Sequence, residues 1–588
     1  MEDKKKTFFP AFQDIRIVRE KAEKTYLAFS PAEKAVALFF AISAVFFLSL
    51  FLRDVNDEFA ITVPKDGGTL TEGIIGTPRF INPILAVSEA DKDLTAIIYA
   101  GLMKVGEDGL VQNDLAEKIE KSEDGLEYTF TIRDDAFFHD GENVTADDVI
   151  FTIKTAQDPD IRSPRRPAWE GVKTEAVGKY IVKFRLSAPY DLFLENTTIG
   201  ILPAHIWQNI SPQEFQFSAR NVNPIGAGPY FVKKITFEKN NTPKTYELGA
   251  FRAYKPRHPY ISKITLNFYQ NEEKAVEAVL NREIEGLSAI SPINAMKLEN
   301  LGYRVESIVM PRIFGAFFNQ SKNPVLADKN IRKALRLAVD RDEIIDGVLW
   351  GYGTKTENPI LDMLFAESAT STNKGSDNAT TTPAEEALKI LEKDGWTRNA
   401  EGILEKKTKT ETLNISFSIS TANVPELKRG AELLKAQWDR LGVKTEVRIF
   451  ELSDFRQNVI RPRDFDVLFF GQAIGRNPDL FVHWHSSQRN DPGLNIVSYT
   501  NKTTDKILEN IRKGIDQSDK AQNYRAFAEE IDNDIPAVFL YSPDFLYVMP
   551  AKVMNFSMAN ISAPEERFHN IEEWYIETEK ILEAFNRK

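Results

Sequence analysis

DGLEYTFTIRDDAFFHDGENVTADDV, residues 124–149, holds a strand, a turn and a helix start in succession. Within it EYTFTIR, Glu127 to Arg133, alternates polar and apolar side chains and predicts a half-buried strand. His139-Asp140-Gly141 predicts the turn, with Gly141 tolerating positive φ and Asp140 bonding nearby backbone amides. Thr145 is the expected N-cap of an apolar-periodic segment running through Ile153, and Asp147 and Asp148 sit where the helix dipole favours acids. Those two carboxylates therefore read as capping charges, not as a catalytic pair. His139 has no partner base or nucleophile beside it, which leaves it without a catalytic role.

Outward from this stretch the pattern repeats in kind. Lys179 to Leu186 and Lys263 to Phe268 predict further strands, and Thr382-Pro383-Ala384-Glu385 is a capping box with proline at the first helical position. Strands and helices alternate without a fixed repeat, the mark of α/β architecture. The 588 residues, 42% hydrophobic and 27% charged, exceed what one compact core accommodates, so two or three domains are expected. Glu367 to Thr382, ESATSTNKGSDNATTT, is polar and of low complexity and is expected to form a mobile surface loop within one lobe.

Ala35 to Leu52, AVALFFAISAVFFLSLFL, carries no charge and is flanked by Lys34 and Arg53. Its length suits a helix crossing a ~30 Å hydrocarbon layer. Residues 1–34 hold eight Lys/Arg, including Lys4, Lys5 and Lys6, so the positive-inside rule keeps this tail in the cytoplasm and places the rest outside. A cleavable signal peptide is the competing reading; the long leading tail and the absence of a small-x-small site after Leu52 favour an uncleaved single-pass anchor in the cell membrane. No cysteine occurs, which excludes disulfides, thiolate metal sites and a lipidated cysteine. The first 53 residues carry net charge +3 against a total of −12, leaving −15 for the remainder, a surface that repels nucleic acid.

Six pieces in one order, Ile81-Asn82-Pro83, Ile98 to Leu102, Asn113 to Glu117, Asp124 to Phe130, Phe138 to Gly141 and Thr145 to Val149, resemble the N-terminal part of the family 5 bacterial extracellular solute-binding proteins, the peptide and nickel group. Asn223 to Tyr230, Phe318-Asn319 through Asn330 to Arg341, Asp464 to Val467 and Trp484 to Gln488 extend the likeness over roughly residues 67–560. It implies a periplasmic-binding-protein type II-like α/β fold, two lobes with a hinge plus an extra subdomain, preceded by one N-terminal transmembrane helix. The expected division is a cytoplasmic tail at 1–34, the transmembrane helix at 35–52 and a stalk at 53–66. Lobe I is expected at 67–101 with 222–318 and 541–575, the extra subdomain at 102–221, and lobe II at 319–540.

The same resemblance implies an oligopeptide or other small solute held between closing lobes and passed to an ABC permease with its ATPase subunits, by a monomer without catalysis, cofactor or metal. In such relatives an acid after a late strand pairs with the peptide's amino terminus. Here that strand is Asp466 to Gly471, and the loop after it departs from the pattern, with Gln472, Arg476 and Asn477 before a single acid, Asp479. Asp479 is the candidate ammonium partner, and capping the following LFVHW segment is its alternative role. Asn477, Gly471, Gln472, Asn82, Pro83, Phe317, Asn319 and Trp484 complete the expected ligand-binding set. A receptor or sensor of the same fold for a non-peptide solute is the alternative function.

Two features invite sharper chemistry. His483 and His485, if on a strand, share a face and reach one metal, but no carboxylate spacing or glycine-flanked serine accompanies them, so packing is preferred to a metal site or a hydrolase. Gly226 and Gly228, beside Pro224 and Pro229, mark a turn and lack the helix start and lysine of a phosphate loop.

Overall fold

The computed structural model describes residue 25 and residues 28–190, 192–255, 257–360, 382–476, 478–512 and 517–582. The loop expected at 367–382 lies outside them apart from Thr382, as does Asn477. The chain divides into two compact units, residues 66–576 and the terminal residues up to 65 with those from 577.

In the large unit the strand–turn–helix reading holds in detail. Glu127–Ile132 forms a strand that buries Tyr128, Phe130 and Ile132 and leaves the alternate residues half-exposed. Gly141 adopts φ 94°, the left-handed region that glycine enters without penalty. The helix Ala146–Gln157 starts after Thr145, whose backbone N–H donates to Asp148 Oδ2 at 2.9 Å, while Asp148 Oδ1 accepts from Ala204 N–H at 2.8 Å. Asp148 is thus a structural cap. The strands expected near residues 180 and 264 form as Ile181–Arg185 and Ile261–Tyr269. Thr382 and Glu385 close their capping box at 2.8 and 3.3 Å at the start of the helix Pro383–Lys393.

One extended sheet organises the unit. In spatial order its strands are Lys444–Phe450, Ser416–Ala422, Val467–Ala473, Arg312–Phe318, Ala537–Val548, Gly286–Ser288, Gly67–Ile75, Ile261–Tyr269, Pro243–Ala250 and Tyr230–Phe237. A separate four-stranded sheet, Ala116–Lys121, Glu127–Ile132, Ile181–Arg185 and Lys173–Gly178, packs its apolar face into the same core as Leu70. A second large core, from Ile313 to Tyr541, fills the other lobe.

The strand Ala537–Val548 belongs to both lobes. Its first half pairs with Arg312–Phe318 and its second half with Val305–Val309, so two neighbouring segments, near residues 310–311 and 542–543, cross between the cores. Ser542 ties them together, its hydroxyl donating to the carbonyls of Met310 and Arg312. Two adjacent crossings with little other backbone in common are what a hinge between lobes requires.

Gly226 and Gly228 do more than mark a turn. A Cβ on either would lie 2.1 or 2.6 Å from the Ile98 carbonyl group, and Gly228 N–H donates to that oxygen at 2.8 Å. His139 locks the same turn: its Nδ1 accepts from Gly226 N–H at 3.3 Å, so Nε2 carries the proton and donates to Gly228 O at 3.0 Å. Burial pushes its pKa down to about 4, which keeps the ring neutral.

At the centre of the first lobe Arg567, Glu72 and Asp93 are fully buried. The guanidinium donates to Asp93 at 2.7 and 2.8 Å and to Glu72 at 2.7 Å, and Tyr547 adds a hydroxyl to Glu72 at 2.9 Å. Every charge has a partner, as burial demands.

In the small unit the segment that follows the apolar run has regular secondary structure. The helix runs from Pro31 to Phe59, past the expected end at Leu52, because RDVNDEF contains no glycine or proline to stop it. Its apolar part, Pro31–Phe51, has mean hydropathy 2.2 and is unburied, long and apolar enough to cross a membrane. Ala60–Lys65, AITVPK, then forms a strand antiparallel to Glu577–Leu582, with Ala60 opposite Leu582 and Lys65 opposite Glu577.

Candidate functional site

A cavity of about 440 Å³ opens in the first lobe. One wall is the helix Glu89–Ile98, which presents Thr95, followed by Tyr99; Pro83 stands beside it. Trp169 and the segment around Glu195 and Thr198 form another wall, and the C-terminal segment Ser562–Glu572 closes the third. Its volume falls in the ~300–1,000 Å³ range of ligand pockets.

The floor is charged. Lys104 pairs with Glu572, and Tyr254 donates to Asp114 at 2.9 Å. Burial pushes Asp114 up to about 6, against the pull of Lys104 and the Tyr254 hydroxyl. Burial works against the charge of Lys104 too, but Glu572 and Asp114 outweigh it and hold its pKa above the ordinary value.

The 3₁₀ helix Pro564–Phe568 gives three successive residues three different surroundings. Glu565 lines the cavity, and its Oε2 has no hydrogen-bond partner. Glu566 also borders the cavity and pairs with Arg476, which reaches across from the other lobe and donates through Nε to Asn560 O at 3.0 Å. Arg567 anchors the turn in the buried triad with Glu72 and Asp93.

The expected ligand residues separate sharply in this geometry. Pro83 lines the cavity. Asn82 is fully buried, donating to Asn221 Oδ1 at 3.1 Å and accepting from Ile84 N–H at 3.1 Å. Asn319 donates to Arg463 O at 2.8 Å and caps Ser321 and Lys322. Phe317 and Trp484 are in the second core, the indole edge-on to Tyr499 and Phe539. Gly471 lies opposite Phe314 on the neighbouring strand and makes room for that ring, which would be 2.6 Å from a Cβ. Gln472 is buried opposite Ile313.

Asp479 stands at the N-terminus of the helix Leu480–Trp484 and is engaged by Arg512, with Nη2 to Oδ2 at 2.7 Å. Arg512 also lies 4.2 Å over the Phe481 ring. His483 belongs to that helix and His485 ends it, which removes the strand geometry that put two imidazoles on one face. His485 stacks on Phe481 at 4.0 Å and its Nδ1 meets Ser487 Oγ at 2.8 Å.

Thr95, Lys104, Asp114, Glu565, Glu566 and His569 border the cavity and were not among the residues expected from sequence. They come from segments more than 450 positions apart, and no spacing connects them. The FHNIEEW run after Arg567, aromatic and acidic near the end of the likeness, was the available signal.

Two α/β lobes joined by paired crossings, with a cavity of mixed polar and apolar lining beside the contact between them, define a solute-binding protein of the class that serves ABC importers. The family model for bacterial extracellular solute-binding proteins, family 5 Middle, matches residues 111–492, and the chain belongs to that family. The oligopeptide-binding protein AppA of Bacillus subtilis is 29% identical over 525 residues, 87% of this chain and 92% of its own length. The structure of that protein in complex with a nonapeptide superposes with a TM-score of 0.64 at 27% identity, covering 88% of this chain and all of the other. NikZ of Campylobacter jejuni in complex with Ni(L-His), 24% identical with a TM-score of 0.65 over 87% of this chain and all of the other, shares the fold.

Proposed function

We propose that this chain is a membrane-tethered receptor that captures short oligopeptides outside the cell and delivers them to an ABC permease with its ATPase subunits. The carrying observation is the 440 Å³ cavity, bordered by Glu566, to which the opposite lobe is joined through Arg476. Ligand bound beside the Glu566–Arg476 pair acts on the closed arrangement through that link, which is the signal a permease can read.

The cavity volume, about 440 Å³, lies toward the lower part of the ~300–1,000 Å³ range of ligand pockets and so argues for short peptides. Lobe closure turns about the crossings near 310–311 and 542–543, with lobe I, the subdomain and lobe II divided as the resemblance implies. The helix Pro31–Phe51 stays attached and holds the receptor at the membrane. No bond is broken in the ligand.

A second reading, a receptor or sensor for a non-peptide solute, draws support from Asp479, whose carboxylate is engaged by Arg512. Purified full-length protein in detergent separates the two. Mass spectrometry of ligand retained through native purification, with thermal shifts against di- to pentapeptides, should give peptide masses and stabilisation that peaks at two to four residues. Retained non-peptide ligand, with no shift from any peptide, overturns the peptide reading.

A further inference from the structure

We propose that one face of the first lobe docks on anionic lipid headgroups, so that the tethered receptor lies against the membrane surface. The inference rests on the helix Pro31–Phe51 staying attached.

Three surface segments, residues 79–87, 161–167 and 215–221, are tied to one another. Ile81 N–H donates to Asn221 O at 2.8 Å, and Asn82 Nδ2 to Asn221 Oδ1 at 3.1 Å. Ser163 Oγ donates to Ile84 O at 2.6 Å, and Gln216 Nε2 to Ile161 O at 2.9 Å. Together the three segments hold five arginines, Arg79, Arg162, Arg165, Arg166 and Arg220, and no aspartate or glutamate. On an exterior of net charge −15 this is a local reversal of sign.

All five residues are exposed, and among the described residues none of their guanidinium groups has a hydrogen-bond or ion-pair partner. Asp91, which adjoins the first segment, is already engaged: it accepts from the N–H groups of Arg79 at 2.6 Å and Phe80 at 2.8 Å and from the Ser88 hydroxyl at 2.6 Å. Phe217, next to Gln216, is 86% exposed, more than any large apolar side chain of the membrane helix. One exposed ring is ordinary on a protein surface. Set among unpaired arginines, it has the chemistry of an interfacial contact, in which the ring enters the headgroup boundary and the guanidinium groups take phosphates.

The tether favours lipid over a soluble acidic partner. Eight helical residues after Phe51 and the strand Ala60–Lys65 span about 32 Å at ~1.5 and ~3.3 Å per residue, whereas a unit of this size is about 60 Å across. The membrane is therefore present at high effective concentration, while attraction between free charges fades beyond ~8 Å at physiological salt.

The chain has no cysteine, so F217C carries a single environment-sensitive dye. Full-length protein so labelled is placed in nanodiscs of phosphatidylcholine, alone or with about one-third phosphatidylglycerol. In the anionic discs only, the emission should move to the blue and brighten roughly twofold, and added salt should reverse the change. R79Q/R162Q/R166Q/R220Q, which leaves the cavity residue Arg165 in place, should lose the response while melting as the wild type does. A dye at L452C, 56% exposed beside the second core, should not respond. No response at 217, an equal response at 452, or one that survives in the folded fourfold variant overturns the docking face. A response to soluble polyglutamate in detergent but not to anionic discs assigns the face to an acidic protein segment and overturns the membrane reading. If the protein does not enter discs, the tether fails and the same label is read against phosphatidylglycerol vesicles: a shift keeps the docking face, and no shift overturns it as well.

Discussion

Arg512 Nη2 lies 2.7 Å from Asp479 Oδ2, and the same guanidinium covers the Phe481 ring at 4.2 Å. The pair fastens the helix Lys502–Arg512 to the loop that follows the strand Val467–Ala473. Both side chains are partly exposed, at 39% and 20%, so solvent screens the attraction. A double-mutant cycle of Asp479→Asn and Arg512→Gln, read by thermal or urea unfolding, should give a coupling of about 0.5–1 kcal/mol. No coupling would mean that the loop is held by Phe481 and its neighbours alone.

The buried triad should respond far more strongly. Arg567→Met leaves Glu72 and Asp93 facing each other without a cation inside the first core, a loss of about 3–5 kcal/mol. Adding Glu72→Gln and Asp93→Asn to the same protein should recover much of that stability, since the cost is the uncompensated charge. Urea midpoints of the single and triple variants compare the two directly.

His139 provides a pH signature. Its folded pKa, about 4, is below the ordinary 6.5, so its contribution to stability is complete above pH 6.5 and is lost as pH falls toward 4. Asp114 acts the other way: raised from 3.8 to about 6, it makes the folded state less stable as pH climbs through that window. His139→Gln should flatten the acid-side loss of melting temperature, and Asp114→Asn should steepen it. Melting curves from pH 4 to 7 on the three proteins test both signs.

The anchor predicts a mass. If the helix from Pro31 is retained, intact mass spectrometry of the membrane-associated protein gives the full 66.7 kDa chain, and alkaline carbonate washing leaves it in the pellet. A shorter, soluble species beginning after residue 52 would identify a cleaved export signal.

What could be read from the sequence was local. Thr382 with Glu385, Gly141 in its turn and the alternation of Glu127–Ile132 all depend on neighbours within a few residues, and each forms as expected. The ordered motifs carried the family and the fold. The cavity was not legible, because Thr95, Asp114 and Glu565 meet only after hundreds of residues have been folded between them. Asn82, Phe317, Asn319 and Trp484 came from segments that resemble the family, and all four side chains are buried. His483 and His485 were expected to pack rather than to bind metal, and the short helix Leu480–Trp484 removes the strand geometry on which the metal alternative depended.

The ribbon of Ala60–Lys65 and Glu577–Leu582 has a practical meaning for anyone labelling this receptor. Leu582 stands opposite Ala60, the residue that directly follows the long N-terminal helix. A fluorophore placed at 582 therefore reports from the helix end, and transfer between it and a second dye at 60 should stay high whatever the ligand does. To watch capture, both dyes belong within residues 66–576, one on each of the two large cores that the crossings join.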